Sequence, residues 1–342
     1  MPISEKLMPN AHAHHYVPRM HLKRFATPAN GRMVVVYDKE WKATRTGGVK
    51  GLACERDLYT LNCGTPKEDT GIEDEFLAKV DNDASTSLDA LAGGVLEQRT
   101  REVLAVYFAT LVLRNPRLIE AQRQHDARLY TEIYRRMYLF EPRFRAGVRS
   151  HFKTEAEFQE CWKAAAPEHV AVTANKERTM CTGMSIVERI SNAILGMSWT
   201  LLVSSGREMF ILGDRPIFSC RPGMAGRSPV GLHTPGAETI IPVSSHACLV
   251  LSREPSQAFA WQNASGSQVL EANTRSAHAA RRRFFATEVR QEWVDLANRF
   301  DKWDGKIDSF VAPNLDISLN LVDNHLFRPL LSEPVASVAA SQ

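Results

Sequence analysis

The sequence predicts an α+β protein, with a helical middle region flanked by two β-rich parts that form one composite mixed or antiparallel sheet. Three observations carry this. A β-branched run, Met33 to Tyr37, follows the turn signal Ala29-Asn30-Gly31. Apolar residues then recur at helical spacing through most of 70–198. A second group of short apolar runs, punctuated by Gly, Pro and Ser, fills 199–252.

The domain organisation follows from these shifts in pattern. Residues 1–13, with no apolar period, are expected to be disordered. Residues 14–290 read as a single composite domain: β-rich 14–65, helical 70–198, β-rich 199–252 and a helix at 267–285. Residues 291–342 read as a C-terminal extension and tail.

Each element has a local reason. In the opening stretch Tyr16 and Val17 favour extended backbone, and Pro18 suits the first position of a short helix. Asp57 to Leu61 reads as a short strand. A helix opens at Gly71-Ile72-Glu73-Asp74 and runs to about Leu91, its Glu73, Asp74, Asp81 and Asp83 read as a solvated face. Thr100 to Leu113 is apolar almost all round, as a core helix should be, and Pro116 breaks or restarts it. Residues 117–140 are amphipathic, with Leu118, Leu129, Ile133 and Phe140 opposite Arg117, Gln124, Arg128 and Arg135. Helices are also predicted at 154–166 and 183–198. Strands are predicted at Trp199 to Ser204, Met209 to Leu212, Ile217-Phe218, Thr239 to Val243 and Ala247 to Leu251, with a long loop from Arg221 to Gly236.

Composition excludes several classes. At 44% hydrophobic and 24% charged residues the chain is able to bury a large core. No apolar run approaches the roughly 20 residues that span a bilayer, and the N-terminus lacks the apolar segment of a secretory signal. The six cysteines include no C-x-x-C pair and read as reduced thiols, so the expected location is cytoplasmic and no membrane partner is implied. No P-loop, dinucleotide fingerprint or G-x-S-x-G occurs, so neither ATP nor NAD dependence is implied.

Charge is unevenly placed. The net charge is +3, yet Arg99 to Arg149 holds eleven arginines against five acidic residues, a formal +6 that leaves −3 for the rest. Basic stripes of this kind fit phosphate or nucleic-acid surfaces, although solvated helix faces are commoner.

The densest chemistry lies in His14-His15-Tyr16-Val17-Pro18-Arg19-Met20-His21-Leu22-Lys23-Arg24-Phe25. This stretch, followed by the strand at 34–38, resembles the opening of an uncharacterised bacterial His-Tyr-Val-Pro family, Domain of Unknown Function 4238. Further similarities are Arg114-Asn115-Pro116-Arg117, Gly213-Asp214-Arg215-Pro216, Pro242-Val-Ser-Ser and Asn273 before a basic run. The likeness runs from about residue 14 to about 287. Family members more often read Ser-Asp-Asn-Pro where this chain has 213–216. The resemblance implies no established activity, but it ranks residues.

Two readings of the chemistry follow. In the first, the chain is an enzyme acting on a phosphate-bearing substrate, a nuclease-like effector of bacterial defence or toxin biology. His15, whose type titrates near neutrality, and Asp214 are then catalytic. His14, Tyr16, Arg24, Arg114, Arg117 and Asn273 bind the substrate, a nucleic acid or nucleotide-like phosphate ligand. In the second, the chain is a non-catalytic nucleic-acid or partner-binding module using the arginine face of 117–140. A small-molecule enzyme is a third option. No cofactor is implied. A divalent metal stays open, since His12, His14 and Asp214 are of ligand type, and the ligand set and the oligomeric state are left unassigned.

Overall fold

The computed structural model describes residues 13–61, 71–222, 230–232, 234–253 and 259–300. Of the segment 1–13 expected to be disordered, Ala13 is instead in a strand, while 1–12 and the tail beyond 300 lie outside these residues, as do parts of the predicted 221–236 loop.

The β-rich parts build three sheets. A two-stranded ribbon joins β1 (Ala13–His15) to β4 (Cys54–Arg56). A four-stranded antiparallel sheet has the order β3 (Ala43–Gly48), β2 (Met33–Asp38), β11 (Arg283–Ala286), β6 (Leu212–Gly213). It is the composite element, because β2 and β3 come from the first β-rich part and β6 and β11 from beyond residue 199. A five-stranded mixed sheet has the order β10 (Phe259–Asn263), β5 (Ser198–Val203), β9 (Ala247–Ser252), β8 (Glu238–Ser244), β7 (Phe218–Cys220), with only β10–β5 parallel.

Alternation along the strands decides the layers. Trp199, Leu201, Ile241, Val243, Leu249 and Leu251 pack against α2 (Ala78–Ala92), α3 (Gln98–Leu113) and α8 (Val187–Leu195). The intervening Leu202, Ile240 and Cys248 meet Val17, Leu22 and Phe25 of the opening stretch, Val34 and Val36 of β2, and α9 (Gly266–Ala279). Strand β2 is buried on both faces, since Val35 and Tyr37 pack with Phe284, Ala286 and Trp293. This explains its continuous apolar run.

The helices follow the sequence closely in the middle. Helix α3 is buried from Leu104 to Leu113 except Val106. Helix α4 (Pro116–Phe140) starts on Asn115, whose side chain accepts a hydrogen bond from Arg117 N at 2.9 Å, with Pro116 at the first position. Helix α6 (Glu155–Ala164) opens with a capping box on Thr154 and Glu157. Helix α1 (Arg19–Lys23) begins one residue after Pro18, which acts as its N-cap.

Several expectations are corrected. Asp57 to Leu61 is a turn rather than a strand, because β4 pairs three residues earlier and Asp57 has a positive φ of 50°. The helix expected from Gly71 starts as a π-helical turn, Ile72–Leu77, before becoming α2. The 183–198 segment is two helices, α7 (Lys176–Ser185) and α8, and 142–149 forms an additional α5 (Pro142–Arg149). Of Met209 to Leu212 only Leu212 enters a strand. The helix expected at 267–285 ends at Ala279, and Arg283 opens strand β11. Beyond 290 the chain returns to the core in α10 (Gln291–Arg299), where Trp293 is buried against Tyr37. Helix α4 buries no residue, and Phe140, expected on its apolar side, is 77% exposed. None of the helices described is long and apolar enough to cross a membrane.

Candidate active site

The opening stretch is structural on one side and chemical on the other. His14 Nδ1 accepts a hydrogen bond from Tyr59 N at 2.9 Å, and the two rings stack. His15 Nε2 donates to Lys50 O at 3.1 Å. His21 is fully buried, accepting at Nδ1 from the Tyr107 hydroxyl and donating from Nε2 to Pro242 O. Burial lowers the pKa of His15 to about 4, with Arg19 adding to the effect, and burial likewise lowers His21 to about 4.

Both imidazoles are therefore neutral at pH 7. An NMR titration is expected to show neither ring protonating until the pH falls towards 4. Because the folded pKa lies below the unfolded value of 6.5, the unfolded chain takes up these protons first. Their contribution to stability is complete above pH 6.5 and is lost as the pH drops through 4.

Tyr16 lies in the bend that follows β1, and there it faces a cleft that neither His14 nor His15 lines. The cleft has a volume of about 260 Å³. Tyr16 meets there Cys54 and Glu55 from β4, Asn115 and Arg117 from the start of α4, Asp214 and Arg215 after β6, and Arg281 and Arg282 ahead of β11 with Arg283 as its first residue. Five segments far apart in sequence thus share one concave surface.

Asp214 organises the basic wall. Its Oδ1 accepts from Arg281 N at 2.7 Å, and its Oδ2 accepts from Arg282 N and Arg283 N, each at 2.9 Å. Three successive N–H groups converging on an anion form a nest. Satisfying them pulls the chain out of helix after α9, which is why the predicted 267–285 helix stops short. Asp214 N in turn donates to Arg283 O at 2.8 Å. Gly213 lets this corner approach α9, since a Cβ there would lie 3.2 Å from Ser276 O.

Five arginines (117, 215, 281, 282 and 283) line the cleft. Burial pulls the Arg215 pKa down to about 10, and Asp214 offsets part of that. Burial first, then Asp214 and Glu55, push the Tyr16 phenol well above its ordinary range, so it stays protonated and donates. Glu55 is half-buried on the same surface, and among the described residues its carboxylate makes no hydrogen bond or ion pair within reach.

The remaining predicted ligands of substrate lie behind or beside this wall. Arg114, 1% exposed, forms a bidentate pair with Asp81 at 2.7 and 3.0 Å, and its carbonyl accepts from the Tyr59 hydroxyl. Arg24 reaches Asp89 at 2.8 Å and Ser85 O at 2.9 Å, tying α1 to α2. Asn273 donates to Met209 O at 2.7 Å and accepts from Ile211 N at 3.0 Å, holding the irregular stretch before β6 on α9. On the α4 face, Arg123 pairs with Glu120, and Arg135 and Arg136 with Glu132, so part of that charge is matched within the helix.

The structure thus brings Tyr16, Arg117 and Asp214 together and leaves His14, His15, Arg24, Arg114 and Asn273 outside the cleft. Sequence reasoning missed Glu55, Arg215 and the orientation of 281–283. No local signal marks Glu55: it enters through the β1–β4 register, which sets it opposite His14. Among the described residues no three His, Cys, Asp or Glu side chains are grouped to hold a metal ion. His12 falls outside those residues.

Fold and cleft together define an α+β protein with an arginine-lined site built around an acidic corner. The family described as "Protein of unknown function (DUF4238)" matches residues 13–289, and the chain belongs to it. No curated protein and no solved structure shows a significant match.

Proposed function

We propose that the chain is an enzyme acting on a phosphate-bearing substrate, a phosphoester hydrolase of nuclease-like type, with the arginine-lined cleft as its active site. The gathering of five arginines with Glu55 on one concave surface supports this reading. Guanidinium groups match phosphoryl oxygens bidentately and offset the charge that builds on them during transfer. Arg117, Arg215 and Arg281 are the binding groups, and the protonated Tyr16 phenol adds a hydrogen bond to a phosphoryl oxygen.

Glu55 is the general base in this scheme. It takes a proton from water as the water oxygen bonds to phosphorus. The ester P–O bond breaks, and the leaving oxygen is protonated from solvent. Asp214, with both oxygens committed to backbone N–H groups, holds the arginine wall. His15, neutral and bonded to Lys50 O, supports the strand that presents Tyr16.

The test is turnover of phosphomonoesters, RNA and DNA by the purified protein, with and without EDTA. Glu55→Gln is expected to lower kcat by about 10²-fold or more while substrate still binds. Arg117→Ala is expected to raise KM. Unchanged turnover in Glu55→Gln would remove the assigned base. Salt-sensitive binding without turnover would instead favour the non-catalytic nucleic-acid reading.

A further inference from the structure

Trp41 stands out among the aromatic side chains. It sits in the turn between β2 and β3 and is 54% exposed. A single exposed aromatic is ordinary, but this one is held in place. Its backbone N–H donates to Asp38 Oδ1 at 3.1 Å. The Arg282 guanidinium lies over the indole 4.0 Å from the ring centroid, and that of Arg283 at 5.8 Å. Those two guanidiniums are themselves fixed. Arg282 Nε reaches Asp38 at 3.0 Å and Glu40 at 3.1 Å, and Arg283 Nε reaches Asp38 at 2.9 Å. Asp38, 1% exposed, is the hub of this cluster.

Arg282 and Arg283 also line the cleft. The indole thus adjoins, through their guanidiniums, two residues of the cleft lining. We infer that Trp41 is a stacking surface for a nucleobase, so that the ligand of the cleft is a nucleotide or the end of a nucleic-acid strand rather than a simple phosphate ester. This rests on the reading of the cleft as a phosphate site.

The chemistry favours a base over other partners. A nucleotide carries a phosphate and a planar π-system one sugar apart, matching a cationic cleft with a rigid aromatic at its edge. Stacking on an aromatic side chain is the common way that proteins hold unpaired bases. Ordering costs little here, because the arginines and the Asp38 contact already hold the turn and the ring. A cation on one indole face leaves the other face and edge for the base, which accounts for the exposure.

The test compares binding of a 5′-mononucleotide, ribose 5-phosphate and a short 5′-phosphorylated single strand, by calorimetry. The proteins are the wild type, Trp41→Ala, Trp41→Phe and Arg117→Ala. The mononucleotide is expected to bind about 10-fold or more tightly than ribose 5-phosphate, as one stacked base provides. Trp41→Ala should erase that margin and leave ribose 5-phosphate unchanged, whereas Trp41→Phe should keep most of it. Arg117→Ala should weaken both probes alike. Tighter binding of the strand than of the mononucleotide identifies a nucleic-acid end, and equal binding identifies a free nucleotide. Equal affinity for nucleotide and sugar phosphate, or no effect of Trp41→Ala, overturns the stacking inference while leaving the phosphate site standing. Failure of all three probes to bind overturns the phosphate reading and the inference with it.

Discussion

Replacing Arg114 with methionine is expected to destabilise the protein by about 3 kcal/mol, the low end for breaking a buried ion pair. The methylene stem is kept, so the loss comes from charge rather than volume. Without Arg114 the half-buried Asp81 carboxylate loses both of its guanidinium bonds at once. Glu73 feels the change too. Burial pushes its carboxyl up to about 7, with Arg114 opposing and Asp81 and Asp74 adding, so removing the arginine should raise it further. Urea denaturation of Arg114→Met against Arg114→Met/Asp81→Leu is the check. The double variant should recover most of the loss, because a matched apolar pair leaves no uncompensated charge. An equal loss in both variants would show that the pair itself is not the source. The position matters for function because Arg114 fixes the corner from which Asn115 and Arg117 enter the cleft.

The second large effect is expected at Asp214. Asp214→Ala removes an anion that accepts three backbone N–H bonds, leaving those donors unmet at a buried corner. Hydrogen bonds to charged groups contribute about 1.5–3 kcal/mol each, and they are not additive, so a loss of roughly 3 kcal/mol or more is expected. Asp214→Asn keeps one acceptor oxygen and should fall between alanine and wild type. Ligand affinity is expected to fall in parallel, because the 281–283 backbone would no longer hold its side chains along the wall. Thermal unfolding and phosphate-ester binding on the same variants separate the two effects. A fully stable Asp214→Ala that loses only turnover would instead place Asp214 among the reacting groups, as the sequence alone had it.

The two residues show how unevenly the site was legible. Arg117, Tyr16 and Asp214 were picked out from motif patterns, and the structure brings them to one surface. Asp214 entered as a catalytic group, but its geometry is that of an anchor. His15 entered on its intrinsic pKa, a property that burial overrides. Glu55 was invisible because its importance comes from strand register, and Arg215 because it sits where the family pattern more often has asparagine.

By itself the sequence determined the elements whose cause is local. The apolar circumference of 104–113 makes a core helix, Asn115-Pro116 starts the next one, and the β-branched run at 33–38 makes a strand buried on both faces. What only the tertiary structure decided is whatever depends on distant partners. The carboxylate of Asp214 reaches across 67 residues to end the α9 helix early and turn three arginines towards the cleft. The pairing of 13–15 with 54–56 sends Glu55 to the same place. Periodicity reports which face of a segment is buried, but not which segment buries it, and the cleft consists almost wholly of the second kind of information.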